Sequence, residues 1–330
     1  MARIAIDAMG GDHAPRVVVQ GAKLARERFP DLELTLVGPT DQITAEAKEC
    51  GLDLAAVQVE HAPEVVAMHE SPVEALRKKP NSSLRVMTRL VKEGRCEAAF
   101  SAGNTGAMVA ATTMGLGLLP GVKRAGILVT FPLGDRPTVL IDAGANIQCK
   151  PLHLYQYALM AAEFTTRVYG VTNPKVGLLN VGEEEQKGNQ LAKETSELLA
   201  QSPLHFIGNI EGGDIFNGEC DVAVCDGFVG NIVLKVSEGL SERIIRILHS
   251  KVAAIDALTG RQGPIHDSLT SLATLVDYAE YGGAPLLGVA GNVIIGHGRS
   301  DAKAVANALR TAREMARARV QESFVEAINR

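Results

Sequence analysis

Apolar positions along the chain follow two periods. Short runs rich in Val, Ile, Leu and Ala, bounded by Gly, Pro, Asn or Asp, read as strands. Stretches with an apolar residue every three to four positions read as helices. Arg3–Ala8 is the first strand, and Pro15 suits the opening turn of a helix over 15–28. Strand Leu32–Val37, a helix near 41–50, strand Val57–His61, a polar loop Glu64–Ser83, a helix over 82–93 and strand Ala98–Ser101 follow. This alternation predicts an α/β fold, with a mostly parallel sheet covered by helices on both faces.

The middle of the chain departs from the pattern. Ile127–Phe131 and Thr138–Asp142 are β-rich and separated by the turn Pro132–Pro137, so a hairpin and a mixed sheet are expected. Helix 151–168, strand Val176–Val181, helix 188–200, strand Val222–Cys225, a helical zone over 228–256 and a helix near 267–278 come next. Strand Val293–Ile295 and a helix over 301–328 close the chain, the latter with Val305, Leu309, Ala312, Ala316, Val320 and Phe324 on one stripe. No repeat, linker or low-complexity tract divides the 330 residues, which read as one unit.

Composition narrows the class. Hydrophobic residues make up 46% and aromatic residues 4%, with no Trp, so the core must be aliphatic. The net charge of −5 disfavours a general nucleic-acid binder, which needs excess cations to neutralise phosphates. Five scattered cysteines without a C-x-x-C pair suggest a reducing compartment. The N-terminus enters a strand directly, without the apolar stretch of a signal peptide, and glycines and polar residues interrupt Ala98–Leu119. A cytoplasmic protein is expected, with peripheral membrane contact left open.

Six turns dense in Gly, Asn and Asp follow apolar strands, where α/β proteins bind ligands. Gly10, Gly11, Asp12 and His13 precede the first helix; the glycines can cradle phosphate oxygens, or the turn is a tight connection with a capping Asp. Ser101, Gly103, Asn104 and Thr105 offer small donors, as an anion nest would, or a helix cap. Asn146 and Lys150 follow Asp142 and Gly144. Lys187, Gly188 and Asn189 stand before a helix, with Glu183, Glu184 and Glu185 beside them as ligands, orienting groups or a solvated acidic loop. Asp226, Gly230 and Asn231 open the long helical zone. Gly282, Gly283 and Gly288 form the sixth turn, and the later turn around His297 is catalytic or structural. The first strand lacks a G-x-G-x-x-G, and there is no Walker sequence, G-x-S-x-G elbow or zinc spacing. No metal or cofactor is expected. The residues alone therefore point to an enzyme for an anionic, phosphate-bearing ligand.

Together the turns resemble the PlsX phosphate acyltransferases. The motifs are A-I-D-A-M-G-G-D-H-A-P at 5–15, S-A-G-N-T-G-A at 101–107, L-L-N-V-G-E-E at 178–184, K-G-N at 187–189, C-D-G-F-V-G-N-I at 225–232 and D-Y-A-E-Y-G-G-A-P-L-L-G at 277–288. The resemblance implies transfer of a long fatty acyl group from acyl carrier protein (ACP) to inorganic phosphate. The acyl phosphate would then feed a membrane acyltransferase acting on glycerol 3-phosphate in phospholipid synthesis. It also implies a three-layer αβα fold similar to isocitrate and isopropylmalate dehydrogenases, with a large mixed sheet in two intertwined halves, and a homodimer. G-N-I-V-L-K at 230–235 and H-G-R-S at 297–300 are similar to segments of phosphotransacetylases.

On this reading phosphate is the nucleophile and a thiolate the leaving group. Gly10, Gly11, Asn104, Thr105 and Lys187 are expected around phosphate or the oxyanion. His13, Asn231 and His297 are expected to orient groups or move protons. Two basic faces can dock the acidic carrier: Arg77, Lys78 and Lys79 with Arg85, Arg89, Lys92 and Arg95, or Arg310, Arg313 and Arg317. Ile244, Leu248, Val252 and Ile255, beside Arg243, Arg246 and Lys251, suit a lipid surface, the core or a dimer contact. The rival readings are a phosphate acetyltransferase using acyl-CoA, a dehydrogenase on the same fold, and a non-catalytic acyl-ACP-binding regulator.

Overall fold

The computed structural model describes residues 1–132, 136–259 and 282–329. The expected helix near 267–278 lies outside them. The strands are β1 (Ala2–Asp7), β2 (Leu32–Gly38), β3 (Gln58–His61), β4 (Ala98–Ser101), β5 (Gly126–Phe131), β6 (Thr138–Ile141), β7 (Lys175–Leu179), β8 (His205–Ile210), β9 (Val222–Val224), β10 (Ala284–Leu287) and β11 (Asn292–Ile295). They form one sheet in the order β3-β2-β1-β4-β11-β10-β5-β6-β9-β7-β8.

Both flanks are parallel, β1 with β2 and β4, and β7 with β8 and β9. The centre is antiparallel: β10 opposes β11 and β5, and β5 opposes β6, as the expected hairpin requires. The sheet is therefore mixed. Its two halves interleave, because β10 and β11 return from the C-terminal part of the chain to sit between β4 and β5.

Period-two alternation sorts the strand residues onto two cores. Ile4, Ile6, Phe100, Val139 and Ile141 face one helical layer. Ala5, Ala99, Ile127, Val129 and Leu140 face the other. The first layer holds α1 (Arg16–Arg28), α2 (Thr40–Cys50), α6 (Pro151–Tyr169), α7 (Gln190–Ala200), α10 (Ala302–Ala318) and α11 (Val320–Asn329). The second holds α3 (Pro72–Lys78), α4 (Ser83–Lys92), α5 (Thr105–Gly115), α8 (Asp214–Asn217) and α9 (Gly227–Thr259). This is the three-layer αβα architecture expected.

Three details differ from the sequence reading. The polar loop 64–83 contains α3, started by Pro72 at its first helical position. The helix expected over 301–328 is two helices, broken at Arg319, whose φ of 50° is left-handed. Strands β8 and β10 were not expected.

Close helix packing ties the C-terminal segment to the N-terminal half. Gly21 of α1 lies against Val305 and the Ala302 carbonyl of α10, so a Cβ there would overlap the Val305 side chain. Gly21→Ala is expected to destabilise the fold by about 1–3 kcal/mol. A lower urea midpoint at unchanged m-value would show it; an unchanged midpoint would mean that this helix crossing is loose.

Candidate functional site

The central strands floor a cleft on the α5–α9 face of the sheet. It has two chambers that share Thr105, Ile127, Ala143 and Asn231. The broad chamber, about 640 Å³, is walled by apolar side chains including Val73, Val109, Met114, Ile147, Phe228 and Ile232, with Arg124 as its cation. The narrow chamber, about 180 Å³, has Val129, Leu234 and Ile295 in its walls and Lys235, Glu238 and His297 as polar groups.

Two buried aspartates build the turns around this cleft. Asp142, at the end of β6, is fully buried. Its Oδ1 accepts from the backbone N–H groups of Ile127, Gly144 and Ala145 at 2.9–3.1 Å. Its Oδ2 accepts from Asn146 N–H at 2.7 Å and from the Asn146 amide at 3.3 Å. Burial pushes this carboxyl above the usual carboxylate value, while the backbone donors pull it back. The first turn of α9 closes over the same loop. A Cβ at Gly230 would collide with the Asp142 carbonyl oxygen, so glycine is what lets the helix approach.

Asp7, at the end of β1, plays the corresponding part in the other half. Its Oδ2 accepts from Ser101 Oγ at 2.7 Å, and Ser101 Oγ in turn accepts from Gly103 N–H at 3.0 Å. Met9 N–H donates to Oδ1 at 3.1 Å. Burial again raises the carboxyl, against these hydrogen bonds. A Cβ at Gly10 would meet Ser101 Oγ and Asp7 Oδ2. Asp12 N–H donates to the Gly298 carbonyl at 2.8 Å, which joins this turn to the one carrying His297.

The narrow chamber is the more polar end, with Lys235, Glu238 and His297 among its lining. Lys235 Nζ lies 2.9 Å from Glu238 and 3.4 Å from His297 Nε2. His297 Nδ1 accepts from Arg299 N–H at 3.2 Å, which leaves the proton of the neutral ring on Nε2, toward Lys235. Burial, and after it the charge on Lys235, lower the His297 imidazole from its usual 6.5. Thr105 opens α5 here, and the first N–H groups of a helix have no partner within it.

The expected site residues fall into three groups. Thr105, Asn146, Asn231 and His297 line the cleft. Gly10, Gly11, Asp12, Ser101, Gly103 and Gly230 form the packed turns behind or beside it. Others have structural work or lie elsewhere. Asn104 caps α5 through Ala107 N–H and donates to the Met68 and Glu70 carbonyls. Asp226 caps α9 through Phe228 and Val229 N–H. Asn189 caps α7 through Ala192 N–H.

Lys187, Gly188 and Asn189 sit after β7, three strands from β5 in the sheet, and are not among the cleft-lining residues. Lys187 faces Glu184 at 3.8 Å, and the Glu184 carbonyl accepts from the Asn209 amide at 3.0 Å. His13 is exposed outside both chambers. Sequence reasoning missed Arg124, Lys235 and Glu238. Lys235 stood within the G-N-I-V-L-K segment, four residues from Asn231, which is the spacing that puts two helical side chains on one face. Among the described residues no cluster of His, Cys, Asp and Glu could hold a metal ion.

The cleft is thus two-chambered, with polar groups in the narrow chamber and mostly apolar walls in the broad one. Comparison with known proteins supplies the family. A family profile described as "Fatty acid synthesis protein" matches residues 2–323. A protein of Desulfitobacterium hafniense named phosphate acyltransferase is 47% identical over 331 aligned positions, covering 100% of this chain and 97% of that one. The chain belongs to this phosphate acyltransferase family. Two solved structures share the fold. A phosphotransacetylase from Streptococcus pyogenes superposes with a TM-score of 0.65 at 17% identity, covering 96% of this chain and 94% of that one. A branched-chain phosphotransacylase from Enterococcus faecalis gives 0.62 at 15% identity, covering 96% and 99%.

The His297–Lys235 contact has a measurable sign. The unfolded chain takes up the His297 proton near about pH 6.5, the folded chain at lower pH. The neutral ring thus contributes stability above pH ~6.5 that is lost as pH falls through the lower folded value. An NMR titration of the ring should show a midpoint below 6.5, raised by Lys235→Met. A midpoint at or above the ordinary value in the wild type would contradict this electrostatic reading.

Proposed function

We propose that the chain transfers a long-chain acyl group from acyl carrier protein to inorganic phosphate, releasing acyl phosphate and free carrier. The observation that carries this is the junction at Thr105 and Asn231, which line both the polar chamber and the apolar one. Phosphate sits between Lys235, His297 and the start of α5. The thioester lies in the broad chamber with its carbonyl carbon at the junction. Exposed Ile147, Phe228 and Ile232 continue the apolar wall outward, which favours a long chain over an acetyl group.

In the reaction a phosphate oxygen attacks the carbonyl carbon, the carbon–sulfur bond breaks, and the electron pair leaves with sulfur. A thiol has a pKa of about 8.5, so departure as thiolate needs little proton donation. What remains is positioning and charge stabilisation. Lys235, and Nε2–H of the neutral His297, supply donors to phosphate. Asn231 at the junction is placed to donate to the developing oxyanion. A cysteine nucleophile is disfavoured: burial, and after it the Asp142 charge, push the Cys149 thiol up to about 11, and burial pushes Cys220 up to about 12. Thiols held this high are poor nucleophiles at neutral pH.

A second copy of the chain completes the proposal. On α9, C-terminal to the chamber-lining Ile232, the side chains of Val236, Leu240, Ile244 and Ile247 are exposed at three- to four-residue spacing. Val252, on the stripe expected to face a lipid surface, the core or a dimer contact, is buried. A stripe of this length on one helix suits pairing with an identical helix. No described helix is long and apolar enough to cross a membrane. The acyl phosphate is a reactive amphiphile, which fits consumption by a membrane-bound acyltransferase.

Incubation with palmitoyl-ACP and phosphate should yield palmitoyl phosphate and free ACP by mass spectrometry, and Lys235→Ala should lower kcat/KM by about 100-fold. Absence of the acyl phosphate, or an acyl group trapped on a protein side chain during turnover, would defeat the proposal. Sedimentation velocity should show a dimer that Leu240→Asp with Ile244→Asp converts to monomer. A monomeric wild type that instead pellets with anionic vesicles would reassign the stripe to a lipid surface.

A further inference from the structure

Two basic faces stood open in the sequence as docking sites for an acidic partner, and the structure treats them differently. On α10, Arg313 reaches Asp31 at 2.8 Å and Arg317 reaches it at 2.6 Å. Arg310 is 3.1 Å from Glu314. Each arginine of that face thus has a carboxylate partner, with Asp31 shared by two of them, and α10 belongs to the layer opposite the cleft. Within the other face, Lys79 is paired with Glu70 and Arg95 with Glu60.

What remains is a stripe. The exposed positions of α4 before its last turn ends are Arg85, Arg89 and Lys92, all basic and spaced to share one face. They line a groove of about 320 Å³ between α3, α4 and α5, with Leu76, Ala111 and Met114. No carboxylate lines that groove. Arg89 has one ion-pair partner, Glu93 just after α4, at 4.0 Å and with both side chains about half exposed, a pairing that solvent screens strongly. In a chain of net charge −5, this is a local inversion of sign.

The groove also leads somewhere. Met114, 63% exposed, lines both this groove and the broad chamber. Gly115 makes the junction tight, since a Cβ there would overlap Thr88 of α4. The cationic groove and the apolar chamber thus share a rim. A thioester at the Thr105–Asn231 junction has two ends to place. The broad chamber is lined by exposed Ile147, Phe228 and Ile232 as well as by Met114, which it shares with the cationic groove.

We infer that Arg85, Arg89 and Lys92 dock the acidic carrier protein of the donor, whose thiol-bearing arm enters the broad chamber past Met114 while the acyl chain leaves toward Phe228. This rests on the reading that the donor is carrier-bound, and gives that reading a surface. Cations at a rim act mainly by steering encounter, so their removal appears in KM and in salt dependence.

Arg85 holds the Leu76 carbonyl at 3.0 Å, so the test spares it. In Arg89→Glu with Lys92→Glu, KM for palmitoyl-ACP should rise about tenfold or more. Its dependence on ionic strength should flatten. The kinetic constants for phosphate and for palmitoyl-pantetheine, which has the arm without the carrier, should stay at wild-type values. Lys48→Glu with Lys193→Glu, on the opposite layer, should leave KM for palmitoyl-ACP unchanged. An unchanged KM in the α4 variant overturns the docking surface while leaving the proposed reaction standing. Equal losses with both donors also overturn it, because they would report damage to the chamber. A wild-type protein that uses palmitoyl-pantetheine but not palmitoyl-ACP removes the carrier from the functional reading, and the surface with it.

Discussion

The cleft depends on a carboxylate that water does not reach. Asp142 gathers N–H groups from Ile127 on one strand and from Gly144, Ala145 and Asn146 on its own loop. Burying such a group without partners is costly, and with these partners it becomes a fixed point. The loop it holds presents Asn146 to the Ala125 carbonyl and to Tyr157 Oη, and receives the Gly227 N–H of α9 on the Asn146 carbonyl. The start of α9 is therefore positioned by Asp142, and with it Asn231 and Lys235, one and two helical turns further on.

This arrangement also separates two kinds of helix N-terminus. The opening of α9 is consumed internally: Gly227 N–H goes to Asn146, and Phe228 and Val229 N–H go to Asp226. The opening of α5 is consumed only in part, through Asn104 to Ala107 N–H. The α5 dipole is thus the one directed at the cleft, where it adds to Lys235 and His297. Neutral His297 beside a charged lysine follows first from burial of the ring and then from Lys235 at 3.4 Å, which repels a second charge.

Much of the fold was legible because aliphatic runs and turn residues agreed. Eight of the strands coincide with Val-, Ile-, Leu- or Ala-rich runs, and β3 with a mixed one. The two that escaped have clear physical reasons. Strand β8, at the sheet edge, alternates exposed and half-buried residues and carries Gly208 at a register shift. Strand β10 has four residues including Pro285, follows two glycines, and reads as a turn. It is held as a strand by different neighbours at its two ends, β11 at Ala284 and Pro285, and β5 at Leu286 and Leu287. Pairing from both sides by distant segments is not visible in a local window. The candidate site divided along the same line. Motifs marked the turns, but the burial of Ser101 under Gly10, and the capping duties of Asn104 and Asp226, become apparent only when tertiary partners are known. Lys187 read as a cation at a helix start, and its pairing with Glu184 likewise shows only in three dimensions.

An antiparallel centre makes a cleft of this kind possible. If the two flanks shared one parallel direction, their ligand-bearing turns would line one edge of the sheet. Here the flanks run oppositely, with β5 and β10 between them, and the turn after β6 lies beside Ile127 near the start of β5. The helices that follow β4 and β9 can then meet across the face of the central strands rather than at an edge. The floor is accordingly apolar, made of Ile127, Val129 and Ile295, while the polar groups come from the helix walls and the His297 turn. Such a floor keeps water from one side of a group held against Lys235 and His297. It also offers an alkyl chain a surface continuous with the reacting carbon. The mixed sheet thereby places an oxyanion-binding wall and an acyl-binding floor within reach of one carbonyl.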